Sequence, residues 1–134
     1  MPTITNQYLG SLRTSATHVS SRNSIITDAP VDNNGKGEAF SPTDLVAGAL
    51  SACMMTIMGI TANNDGIDID GISSEVVKVM TSSPRKISEI RIVFDWETCT
   101  LSPEHREKLK KAALTCPVAL SLNPGINQNI VFNF

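Results

Sequence analysis

At 134 residues, with 41% hydrophobic and 4% aromatic side chains, the chain suits one domain, residues 1–134, whose core must rely on Ile, Val, Leu and Met. Its 11 Lys and Arg against 13 Asp and Glu leave a formal charge of −2, so no basic excess favours nucleic acid or an anionic membrane surface as a partner. Three cysteines with no CxxC and no clustered Cys/His set argue against a secreted disulfide framework and a structural zinc site, and leave thiol chemistry or plain packing.

Met1 is followed by polar residues with no charged-then-apolar leader, which points to a cytoplasmic protein. Loose alternation up to Asp28 predicts short antiparallel strands at about 7–12, 15–19 and 24–27. Residues 28–40, with Pro30, Asp32, Asn33, Asn34, Gly35 and Gly37, read as a loop. A helix is expected over 41–62, with Ser41 as N-cap, Pro42 at the first position and Asp44 three residues on, as in a capping box. Its Leu45, Val46, Leu50, Met54, Ile57, Met58 and Ile60 leave almost no polar stripe, so it should lie inside the fold with Cys53 buried or nearly so. The run is broken by Thr and Ser and reads as too short and polar to cross a bilayer. One small sheet covers such a helix poorly, which makes a second subunit an expectation.

Strands are predicted over 67–81 and 87–98 around a turn at 82–85, with Ile90, Ile92, Phe94 and Trp96 sharing one face of the second. Pro103 starts a helix behind Ser102, burying Leu109, Ala112 and Ala113. In TCPVALSL, Pro117 opens a short helix with Cys116 at its N-cap, where the helix dipole favours a thiolate. A last strand spans 126–134. This order indicates an α+β fold with mostly antiparallel sheet. A lone cysteine on an apolar helix is usually a small hydrophobe, but Cys53 with Cys116 makes a candidate redox pair.

The segments SPTDLVAGALSACMMTIMGI and TCPVALSLNPGI, preceded by HVSSRNSIITDAPVDNNGKGEAFSPTDL, resemble the OsmC/Ohr family of osmotically induced and organic hydroperoxide resistance proteins. The resemblance implies an OsmC-like fold, with antiparallel sheets packed on a central buried helix, in an intertwined homodimer whose active sites lie at the subunit interface. It implies Cys53 as the peroxidatic thiol, Cys116 as the resolving one, an organic hydroperoxide as substrate and an external dithiol, such as a lipoyl protein, as reductant, with no metal or other cofactor. In the hydroperoxide resistance branch an arginine of the N-terminal strands holds the thiol ionised, oriented by a glutamate at the helix start. Arg22 is the nearest match and Arg13 the second; the glutamate falls on Thr43, with Asp44 adjacent. That departure looks more like the broader OsmC-like branch, and it motivates a rival reading as a redox-sensing or small-molecule-binding dimer without peroxide turnover. His18 is a candidate donor or base, or simply a solvated histidine; Cys99 reads as an ordinary thiol. Met54, Met55 and Met58 suit an alkyl pocket or plain core, and the 28–40 loop a lid or a structural role.

Overall fold

The computed structural model describes every residue from Met1 to Phe134. Its contacts divide the chain into two units, Met1–Val46 and Ala47–Phe134.

In the first unit β1 (Ile4–Gly10), β2 (Arg13–His18) and β3 (Ser24–Asp28) form an antiparallel sheet in chain order. Gly10, at φ +87°, opens the first turn, in which the Leu12 N–H donates to the Tyr8 hydroxyl at 3.2 Å. The β2–β3 register runs from Arg13 opposite Asp28 to Thr17 opposite Ser24. β1 and β2 begin before the predicted positions, because cross-strand pairing extends past the residues that alternate clearly. The 28–40 loop closes on itself where the Asp28 N–H donates to the Phe40 carbonyl at 3.0 Å. Thr27, Asp28 and Ser41 are buried here, but none of the buried apolar side chains belongs to this unit, and Ile4, Tyr8, Leu9, Ile25, Ile26 and Phe40 are exposed.

α1 (Pro42–Asn64) begins with the capping box expected of its sequence. The Asp44 N–H donates to Ser41 Oγ at 3.1 Å and the Ser41 N–H donates back to Asp44 Oδ2 at 2.9 Å. In the second unit the helix buries Ala47, Leu50, Ser51, Met54, Met58 and Ala62, a stripe at helical spacing. Gly48, Ala49, Ala52, Thr56 and Ile60 are exposed, so within one chain the helix is covered on one side only. At 23 residues and hydropathy 1.8 it is, contrary to the sequence expectation, long and apolar enough by length and composition to cross a bilayer. Its Leu50, Met54 and Met58 are instead wholly buried in the protein core.

That core is completed by β4 (Ser73–Ser82), β5 (Arg85–Asp95), α2 (Pro103–Leu114), α3 (Pro117–Ser121) and β6 (Asn127–Asn133). The strands lie in the order β4-β5-β6, with β4 antiparallel and β6 parallel to β5. The return through α2 and α3 supplies the long crossover that a parallel neighbour needs. Ile90, Ile92, Phe94 and Trp96 line the inner face as predicted, Phe94 stacking on Phe132 at 5.4 Å between ring centres. Residues 67–72 are not strand. Gly66 at φ +69° and a bond from the Asp70 N–H to Asp68 Oδ1, 2.7 Å, hold them as a turn after α1, so β4 starts only at Ser73. Ser102 caps α2 as expected, accepting from the His105 N–H; Leu109 and Ala113 are buried, Ala112 half-buried.

Candidate active site

The chemistry of the second unit centres on two thiols. Cys53 lies midway along α1, half-buried at the edge of the core cluster, less enclosed than an apolar helix led one to expect. Cys116 is fully buried. It is gripped from both sides, its N–H donating to the Ala113 carbonyl at the end of α2 and its carbonyl accepting from Leu120 in α3. Pro117 fixes the first turn of α3, and Cys116 Sγ accepts the Ala119 N–H at 3.3 Å, the cap predicted from the sequence. Cys53 is close enough to act on the ionisation of this thiol.

The direction of that ionisation corrects the sequence argument. Burial pushes the Cys116 thiol up, the Ala119 N–H pulls it down, and the Cys53 thiol raises it again; the net shift is upward. A helix of five residues gives a small end charge, and total burial outweighs it. Cys116 is therefore held as a thiol at neutral pH. Neither cysteine is in a disulfide.

The first unit holds the candidate cations. Arg13 on β2 faces Asp28 on β3 and donates to it from Nε at 2.7 Å and Nη2 at 2.9 Å, with Glu38 Oε1 at 3.7 Å. Arg22 stands in the β2–β3 turn at φ +65°, its N–H donating to the His18 carbonyl at 2.8 Å, and it is exposed. Asp44 is engaged by its own helix cap. His18 is exposed and shares hydrogen bonds with Ser21 through Nδ1, 2.6 Å, and Ser20 through Nε2, 3.3 Å. Cys99 is half-buried after β5, its N–H donating to the Trp96 carbonyl, while Met54 and Met58 are core and Met55 is half-buried against it. No three His, Cys, Asp or Glu side chains converge as a metal-binding group.

Sequence reasoning missed Asp28, which is 1% exposed. Its signal was the β2–β3 hairpin, whose near-equal arms bring residues 13 and 28 opposite each other while leaving Arg22 in the turn.

A family model described as OsmC-like protein matches residues 35–131. A crystal structure of a protein from Psychrobacter arcticus 273-4, ascribed to the osmotic stress and detoxification response, is 50% identical, covers 99% of this chain and 96% of that one, and superposes with a TM-score of 0.95. An organic hydroperoxide resistance protein OsmC from Legionella pneumophila shares the fold at 19% identity over 100% and 98% of the two chains, TM-score 0.70. The organic hydroperoxide resistance protein OhrB of Bacillus subtilis does so at 19% over 98% of each, TM-score 0.66. No curated protein matches.

Proposed function

The chain belongs to the family of OsmC-like proteins, and we propose that within it this protein is a thiol-dependent peroxidase that reduces organic hydroperoxides in defence against oxidative stress. The observation that carries the reading is the half-buried Cys53 beside a second, fully buried thiol held on a helix cap. Relatives of the same fold named for hydroperoxide resistance support it.

In this reaction the Cys53 thiolate attacks the distal oxygen of the hydroperoxide. An S–O bond forms, the O–O bond breaks, and the leaving alkoxide takes a proton and departs as alcohol. The sulfenic acid on Cys53 is then attacked by Cys116 sulfur. The S–S bond forms as the sulfenic oxygen leaves, and the proton that burial keeps on Cys116 completes a water molecule. The Ala119 N–H favours negative charge on Cys116 as it attacks. An external dithiol, a lipoyl protein by family resemblance, restores both thiols by exchange.

By family resemblance, an arginine of the N-terminal strands holds the peroxidatic thiol ionised. Arg13 is the candidate for it in this chain. In its favour, a bidentate pair holds it in one orientation, whereas Arg22 belongs to an exposed turn. The dimer itself is supported by the exposed Ala49, Ala52, Thr56 and Ile60 face of α1 and by the uncovered apolar side chains of the first sheet.

The reading is tested by steady-state consumption of cumene hydroperoxide with dihydrolipoamide as reductant. Sustained turnover that requires both Cys53 and Cys116 is expected. Formation of the disulfide without turnover would favour the redox-sensing alternative, and no reaction at either thiol would exclude both.

A further inference from the structure

The half-buried positions of β6 alternate as Gln128, Ile130 and Phe132, the last two packed against the core. A polar amide in such a row is costly unless it finds a partner. Gln128 finds the Ala119 carbonyl of α3, to which its Nε2–H donates at 2.9 Å.

The length of α3 explains why that carbonyl is open. A helix of five residues does not hold together by itself, and its last carbonyls lack partners within it. The Cys116 carbonyl accepts the Leu120 N–H and the Val118 carbonyl the Leu122 N–H. Leu122 is then extended, at ψ 151°, so the chain leaves the helix before Asn123, whose N–H would have met Ala119. Gln128 supplies the missing donor. The same Ala119 donates its own N–H to Cys116 Sγ at 3.3 Å, so one residue of α3 is tied on one side to the thiol and on the other to β6. Cys53 already interacts side chain to side chain with Cys116. Joining the two sulfurs therefore calls for Cys116 to be held in place, not carried in.

We propose that Gln128 is a positioning residue for Cys116, pinning the Ala119 turn of α3 so that the sulfur stays capped and aligned on Cys53. For the chemistry that Cys116 performs this rests on the peroxidase reading, and for the rest on the contacts of α3. Opening and positioning make opposite demands. If α3 had to open before the disulfide closes, loosening it would speed closure. If Gln128 positions Cys116, loosening slows closure and leaves the Cys53 sulfenic acid longer to a second hydroperoxide, which transfers an oxygen to the sulfur and gives sulfinic acid and alcohol.

The experiment compares the full chain with Gln128→Leu, which removes the donor at similar volume, and Gln128→Glu, whose carboxyl donates only when protonated. Alkylation of the reduced proteins by N-ethylmaleimide is followed at each cysteine by peptide mass spectrometry. The ratio of Cys53 sulfinic acid to disulfide is measured in excess cumene hydroperoxide, each variant against the parent at the same pH. Gln128→Leu is expected to speed Cys116 alkylation about tenfold and to raise the sulfinic ratio about tenfold, the effect of leaving an acceptor of a buried residue unpaired. Cys53 and Cys99 should alkylate at the parent rate. Gln128→Glu should match Gln128→Leu at pH 8 and the parent at pH 5, a rescue that lost packing would not show. That comparison within one protein carries the test if Gln128→Leu does not fold. Unchanged Cys116 alkylation in Gln128→Leu, equal acceleration at all three cysteines, an unchanged or lower sulfinic ratio, or no recovery of Gln128→Glu at pH 5 overturns the proposal. If the parent chain ignores hydroperoxide, the peroxidase reading fails, while the alkylation rates still decide whether Gln128 holds Cys116.

Discussion

The Cys116 thiol is fully buried beside Cys53 of the central helix, and its burial foremost, together with that neighbour, outweighs the Ala119 N–H and raises its ionisation. The folded chain therefore retains a proton that the unfolded chain releases from about pH 8.5 upward. Between the two values the unfolded state binds fewer protons, so stability is full below about pH 8.5 and declines as pH rises through the folded value. Urea unfolding from pH 7 to 10 should show this alkaline loss, and Cys116→Ala should flatten it. Equal slopes in the two proteins would mean that burial does not govern this thiol.

The same relationship divides the labour between the thiols. In the proposed reaction Cys116, kept protonated, does not open the cycle, and Cys53 does. Cys53→Ser is expected to abolish reaction with cumene hydroperoxide, leaving Cys116 unmodified. Cys116→Ser should react once and then stall as a Cys53 sulfenic acid that passes to sulfinic acid with excess peroxide. Intact-mass spectrometry reads both outcomes, and oxidation of Cys116 in the Cys53→Ser protein would reverse the assignment.

Asp28 gives stability the opposite dependence at the acid end. The Arg13 fork, as the largest cause, holds its carboxyl below the ordinary carboxylate range against the upward push of burial. The unfolded chain thus takes up the Asp28 proton first as pH falls below about 4. The stabilisation is present above that point and is lost as pH drops through the folded value. Asp28→Asn should blunt the acid limb of a thermal unfolding series between pH 6 and pH 2; a limb of undiminished steepness would assign acid sensitivity to other carboxylates.

Features decided by neighbours in the chain were legible before the fold. The Ser41 and Asp44 capping box, the Cys116 cap ahead of Pro117, and the inward row Ile90, Ile92, Phe94 and Trp96 each follow from a few adjacent residues. Features decided by pairing at a distance were not. Arg22 adjoins the strand that ends at Asp28, yet hairpin register hands that carboxylate to Arg13, 15 residues away. The half-exposure of Cys53 depends on what covers the second face of α1, and no run of apolar letters specifies that. Cys116 shows the limit of a local electrostatic argument, since its cap was correctly read and its ionisation was not: burial is a property of the whole core.

The 28–40 loop holds the Glu38 N–H against Asp28, and its path depends on one close approach. A Cβ on Gly35 would lie 1.7 Å from the Ala29 carbonyl oxygen, a backbone atom that no rotamer change can move. Gly35→Ala is expected to destabilise the protein by about 2 kcal/mol in urea unfolding, the range of an overpacked site. A change within about 0.5 kcal/mol, as at an ordinary surface position, would mean that the loop reroutes freely.

The central claim is that Cys53 and Cys116 complete one redox cycle together. It is tested most directly by adding one equivalent of cumene hydroperoxide to the reduced protein, quenching with an alkylating agent and mapping the cysteine peptides by mass spectrometry. The account predicts a Cys53–Cys116 disulfide with Cys99 alkylated. Recovery of both Cys53 and Cys116 as alkylated free thiols would contradict it.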